Sequence, residues 1–270
     1  MVENQKTVAD THMSKETVQA IVSAAQMKHT MLEQTRGRYM VKSIMAGFLL
    51  AIVTVFMFAM KTQFEGAHPG LINLLGALSF SLALVLIVLT HSELLTSNFM
   101  YLTVGWYYKA VSWQNVWKIF IYCFIGNIIG GFILFFMMRL THIMTPEMIT
   151  ALSTTVEKKT VASSWLEILN RAIFANFFIN IGIYVSLQFK DGFSKLFFIA
   201  AGVVVFVFMG YEHVVFNTGL YAGMVFFNLQ DLVWLDVGKN VLFAFIGNFI
   251  GGGLFVGFIY AYLNGKRHEI

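Results

Sequence analysis

Apolar residues fall into six long stretches, roughly 39–60, 70–90 with a continuation to about 108, 115–139, 165–188, 196–227 and 239–263. At about 1.5 Å of rise per helical residue, each is long enough to cross a hydrocarbon core of roughly 30 Å. The pattern predicts six membrane-spanning helices. Ahead of them, residues 1–36 are polar, but Val18, Ile21, Val22, Ala25 and Leu32 recur at near-helical spacing behind the start signals Ser14 and Glu16. That spacing predicts a cytoplasmic amphipathic helix. It caps a pore, lies on the membrane surface or packs against the bundle, and the pattern does not choose among these.

Composition agrees with the hydropathy pattern. The 270 residues are 58% hydrophobic, 16% aromatic and only 12% charged, with a mean hydropathy of +0.72. This is the balance of an integral membrane protein. A net charge of +4 and a pI near 9.1 are compatible with nucleic-acid binding by number alone. The basic residues instead flank the apolar stretches, so they report topology and exclude a nucleic-acid partner. With both termini inside, the cytoplasmic flanks hold Arg36, Arg38, Lys42, Lys109, Lys118, Lys190, Lys195, Lys266 and Arg267. The other side holds Lys61, Arg139, Lys158, Lys159 and Lys239. The excess inside favours cytoplasmic termini. The lone cysteine, Cys123, excludes an intramolecular disulfide and a cysteine metal cluster. No cleavable leader is expected, because the first forty or so residues are polar and the first apolar stretch is long enough to span.

An internal repeat organises the six stretches. FIGNIIGG at 124–131 returns as FIGNFIGG at 245–252, and Glu93 with Asn98 is matched by Glu212 with Asn217. A single transmembrane domain, 37–265, then consists of repeat one, about 37–140, and repeat two, about 163–265. Each repeat holds three spans, an odd number, so the second is inserted upside down relative to the first. Inverted repeats place a substrate path between the halves, lined where matched helices are interrupted.

Both interruptions are legible. In Phe206–Phe227 the polar Glu212, His213 and Asn217 break an apolar run that also contains Gly210, Gly219 and Gly223. Ionisable groups at membrane depth face a cavity, a path or another protein group. The stretch therefore reads as a broken helix centred on 210–217. The bland alternative is a Glu and a His bonded to neighbouring helices and nothing more. Its counterpart is THSELLTSN, 90–98. Asn127 and Asn248 suit the backbone groups freed at the breaks, with lining the pore as the other reading, and the neighbouring glycines permit close helix approach. No serine, zinc-protease, Walker or dinucleotide motif is present. A metal site from His213, Glu212 and His91 is disfavoured, because adjacent helical residues point about 100° apart. The residues thus favour a channel or secondary transporter. An absorption spectrum separates it from a redox or metal-binding subunit that uses His213 and His91. An aquaporin-like pore for neutral solutes would call for NPA turns, which neither Pro69 nor Pro146 forms. A purely structural subunit gives no reason for two matched breaks.

The FSLALVLIV and SELLTSN runs, the two GN-x-x-GG segments, RAIFAN ending at Asn176, and GYEHVVFN together resemble the formate/nitrite transporter family. The resemblance covers about residues 30–263. It implies an all-α integral membrane protein with an aquaporin-like six-helix protomer, two inverted three-helix repeats and broken helices two and five. It further implies a homopentamer with a pore in each protomer, no prosthetic group, and residence in the cytoplasmic (inner) membrane of a prokaryote. The expected activity is passive or proton-coupled transport of small monovalent weak-acid anions, formate or nitrite, with hydrosulfide as the alternative. By position, the family's central histidine falls on His213, its neighbouring acid on Glu212, the following asparagine on Asn217 and the threonine on Thr96. Apolar constrictions are implied at Phe80, Leu84, Leu94, Leu95 and Phe206. Asn176 joins Asn127 and Asn248 in support. A vestibule lysine corresponds to Lys158 or Lys159, since ungapped counting puts Thr160 at the family position. His91 stands where the family implies a small residue.

Overall fold

The computed structural model describes residues 15–264. Ser14, Lys266 and Arg267, which entered the reading of the ends, lie outside the described residues. The first helix, α1 (Lys15–Gln34), turns Val18, Ile21, Ala25 and Leu32 inward, the positions its periodicity selects. It packs on the helix that follows the first break and so lies against the bundle.

Repeat one contains α2 (Arg36–Gln63), α3 (Pro69–Leu89), α4 (Leu95–Tyr107) and α5 (Trp113–Thr141). Repeat two contains α7 (Trp165–Ser186), α8 (Gly192–Phe208), α9 (Val214–Phe227) and a last span that begins as α10 (Trp234–Asn248). That span continues through a wider π-helical stretch, 249–258, into α11 (Ile259–Leu263). Among the described residues five helices are long and apolar enough to cross a membrane, and the shorter apolar helices α8 and α9 share the remaining stretch. The pairings repeat as well. In repeat one α2 packs on α5 and α3, and in repeat two α7 packs on α10 and α8. Each short helix after a break crosses over, α4 onto the π-helical stretch of repeat two and α9 onto α5 of repeat one. The halves are thereby interlocked.

Glycine makes the tight pairings possible. A methyl group on Gly130 would overlap the Ile44 carbonyl, and one on Gly251 would overlap the equivalent Ile173 carbonyl. In a bilayer this close backbone approach, rather than hydrophobic burial, drives helices together.

Two features depart from the sequence reading. The interruptions are narrower than 90–98 and 210–217, because the chain is already helical again at Leu95 and Val214. Asn98 and Asn217 therefore sit inside α4 and α9. An unexpected helix, α6 (Pro146–Lys159), also joins the repeats. The Thr145 side chain caps it by accepting from Met148 N at 3.3 Å, and Pro146 opens its first turn.

Candidate functional site

A helix restarting inside a membrane has unpaired backbone groups, which in hydrocarbon cost several kcal/mol each. Here an asparagine from the last span of the same repeat meets them. Asn127 Oδ1 accepts from Leu95 N at 3.0 Å, while its Nδ2 donates to the carbonyls of Ser43 and Glu93, both at 2.8 Å. Asn248 Oδ1 accepts from Val214 N at 2.8 Å, and its Nδ2 donates to the carbonyls of Ala172 (2.8 Å) and Glu212 (2.9 Å). Each amide ties the restart of its broken helix to the first span of the repeat.

The acids at the breaks are buried and paired. Lys28 of α1 donates to both oxygens of Glu93 at 2.9 and 2.7 Å, and the same carboxylate accepts from Asn98 Nδ2 at 3.1 Å and Tyr39 Oη at 3.4 Å. Lys159 Nζ lies 3.1 Å from Glu212 Oε1 and donates to the Tyr211 carbonyl at 3.2 Å. Glu212 Oε2 accepts from Asn217 at 2.6 Å and Asn240 at 3.3 Å. Neither charge is left bare in the low-dielectric interior. Among the described residues no hydrogen bond joins Glu212 to His213. The carboxylate thus anchors the break, and its lysine and amide partners engage it away from the ring.

His213 is the N-cap of α9, and its Nδ1 accepts from Phe216 N at 3.0 Å. A nitrogen that accepts carries no proton, so the ring's hydrogen is assigned to Nε2. Nε2 lies 2.8 Å from Thr96 Oγ1 of the opposite repeat. Donation from Nε2–H leaves the Thr96 hydroxyl hydrogen free to serve another acceptor. The Thr96 carbonyl is fixed from behind by the amides of Asn176 (3.1 Å) and Asn180 (3.0 Å).

Around the imidazole the lining is apolar. Phe80, Leu84, Leu94, Val203 and Phe206 surround a free volume of about 10 Å³ with His213 on its wall, space for roughly one water. Phe206 stacks on the imidazole at 5.6 Å and meets Phe80 edge-on at 6.1 Å. Phe80 in turn meets Phe216 at 4.9 Å, and Lys159 Nζ lies 5.6 Å from the centre of the Phe216 ring. Rings thus run continuously from the lysine to the histidine.

The structure brings His213, Thr96, Phe80, Leu84, Leu94 and Phe206 together. Leu95 is fully buried, with its N–H held by Asn127, and does not line this cavity. Glu212 and Asn217 form a buried layer behind it, and Lys159 turns inward while Lys158 is exposed. Sequence reasoning missed Lys28, Asn180, Asn240 and Phe216. Lys28 had a usable signal, being a charge on the otherwise inward-facing side of α1, whereas Asn240 lay hidden in an ordinary apolar stretch.

A family model described as formate/nitrite transporter matches residues 15–262. The formate channel BtFdhC of Bacillus thuringiensis is 24% identical over 259 residues, 96% of this chain and 98% of that one. The nitrite transporter NirC of Escherichia coli (strain K12) is 26% identical over 233 residues, 86% of this chain and 85% of its own. Among solved structures, an FNT family ion channel superposes with a TM-score of 0.84 at 22% identity, covering 92% of this chain and 98% of the other. A pentameric formate channel with formate bound gives 0.72 at 23% identity, covering 85% and 97%.

Proposed function

Because this chain belongs to the formate/nitrite transporter family, we propose that it conducts a small monovalent weak-acid anion, formate or nitrite, through a pore between its two repeats. Hydrosulfide is the alternative substrate of the same chemistry. The observation that carries this reading is the His213 ring on the wall of an otherwise apolar cavity, with its Nε2 bonded to the buried Thr96 hydroxyl. An anion entering such a place loses hydration worth many kcal/mol, and the corresponding neutral acid loses far less. The free hydroxyl hydrogen, or the Nε2–H once it turns from Thr96 Oγ1 to the anion, replaces part of that hydration without placing a fixed charge that would trap the ion. Both acid–lysine pairs are internally neutralised, so the path itself stays uncharged while Lys159 lies one ring away.

The cap also bears on proton coupling. The neutral ring donates a hydrogen bond. It becomes a proton donor only as imidazolium, which requires Nδ1 to release Phe216 N, a capping bond worth about 1 kcal/mol. Proton transfer to the anion is thus linked to loosening of α9 at its first turn. In this reading the oligomer is a pentamer with one pore per protomer and the termini are cytoplasmic. The helix Lys15–Gln34 is the cytoplasmic segment, the described residues from 37 onward form the membrane domain, and the host membrane is the inner membrane of a prokaryote. Phe80, Leu84, Leu94 and Phe206 set the size limit.

The test is formate and nitrite flux into proteoliposomes across pH for His213→Asn, which keeps a cap acceptor and a donor but cannot carry a proton. Flux that persists without its low-pH component is the expected result. An unchanged pH profile removes the proton role. Unchanged flux in Phe206→Ala for acids the size of acetate or lactate removes that ring from the constriction.

A further inference from the structure

Beside α1 and the first break lies a vestibule of about 500 Å³, lined among others by Lys28, Lys42, His91, Ser97, Asn98 and Tyr101. It is far larger than the cavity of about 10 Å³ at His213. A space of this size is in the range of small-molecule sites, roughly 300–1,000 Å³. Its charges are not balanced. Lys28 is neutralised by Glu93, but the Lys42 ammonium and the His91 ring have no hydrogen-bond or ion-pair partner among the described residues. His91 is exposed and held at φ 51°, a left-handed backbone that side-chain-bearing residues seldom adopt. Deeper in, the Ser97 hydroxyl is buried with no partner. One unmatched cation, a titratable ring and a free hydroxyl around a wide bowl above a narrow neck describe a place where anions enter that cannot continue.

We propose that this vestibule binds a multivalent oxyanion too large to cross, held between Lys42 and His91, which occludes the pore from that side. The groups facing His91 across the bowl are Lys28, Lys42, Glu93 and Tyr101, so a dianion meets net positive charge there. A permeant monovalent anion gains less from the same groups and passes on. The occluding role rests on the transport reading above, but the binding does not. Malonate and inorganic phosphate represent the organic and inorganic sources of such a ligand.

The test is calorimetric titration of malonate and of phosphate into the purified full-length protein, with the formate flux of the same preparation measured in proteoliposomes. Saturable binding of at least one dianion is expected, weakened about tenfold in the Lys42→Ala/His91→Ala double variant. His91→Lys should retain or strengthen it, and formate flux without dianion should stay unchanged in both variants. Tighter binding of malonate than phosphate identifies the organic source, and the reverse order identifies the inorganic one. Binding that is absent, or equal in wild type and double variant, overturns the site. Binding lost on substitution without block of an active channel keeps the site and overturns its occluding role. If the wild type carries none of formate, nitrite and hydrosulfide, the transport reading fails while the titration still decides the site.

Discussion

Glu93 and Glu212 occupy matched places in the two helix breaks, and each is met by a lysine, an asparagine five residues on and an amide-anchored restart. One residue further along the match ends. Repeat one has Leu94 where repeat two has His213, and Thr96 where repeat two has Val215. The shared parts all satisfy buried backbone or buried charge, which any interrupted membrane helix requires whatever it carries. The parts that differ are those that meet at the centre, where the single Nε2–Oγ1 contact joins one residue from each half. Symmetry in this molecule follows the needs of the lipid, and asymmetry is confined to the residues proposed to meet the solute.

The lysines show a finer contrast. Lys159 and Glu212 side chains are 10% and 1% exposed, against 15% and 8% for Lys28 and Glu93. Removing one partner of a buried pair leaves the other charge uncompensated, a loss of about 3–5 kcal/mol. Glu212→Gln should therefore give the largest loss of stability, seen as a lowered unfolding midpoint in detergent, with Glu93→Gln destabilising less. Equal losses from the two would mean that burial does not set the strength of these pairs.

Next in size come the asparagine anchors. Asn127→Ala and Asn248→Ala each strand one buried N–H, of Leu95 or Val214, and remove a donor shared by two carbonyls. A loss of about 2–3 kcal/mol is expected for either, and the two should agree closely because the bonds correspond one for one. A large difference between them would break the equivalence of the two restarts. The glycine contacts come just below. Gly130→Ala and Gly251→Ala push matched carbonyls, and about 1–3 kcal/mol is expected at each.

Much of this plan was legible in the chain itself. The repeated GN-x-x-GG fixed which amides and glycines correspond, and Glu93 with Glu212 marked both breaks, because polar groups stand out against an apolar background. The extent of each break was not legible. The repeat pointed to Asn127 and Asn248 as partners of the freed backbone, but not to the residue at which each amide lets the helix restart. The acid–lysine pairs were half visible. Lys159 lay close to the family position, but Lys28 looked like one more charge on an amphipathic helix until tertiary packing set it over Glu93. Phe216 was hidden for the opposite reason, since one phenylalanine among 28 carries no signal until a neighbouring ammonium is seen over its face.

The smallest expected effect probes the point where the halves differ most. Thr96→Val keeps the shape of the side chain and removes the one partner of His213 Nε2 among the described residues. Stability should fall by about 1–2 kcal/mol, and formate flux by about tenfold, because one of two donors near the cavity is gone and the other has lost its orientation. Thr96→Ser should restore most of the flux. In the mirror experiment Val215→Thr places a hydroxyl at the matched site of α9, where Leu94 offers no ring nitrogen to receive it. Flux there should stay within about twofold of wild type, since a hydroxyl contributes only where a partner orients it. A drop in Val215→Thr as deep as that in Thr96→Val would mean that both tips contact the solute alike, and the division between a symmetric frame and an asymmetric centre would no longer hold.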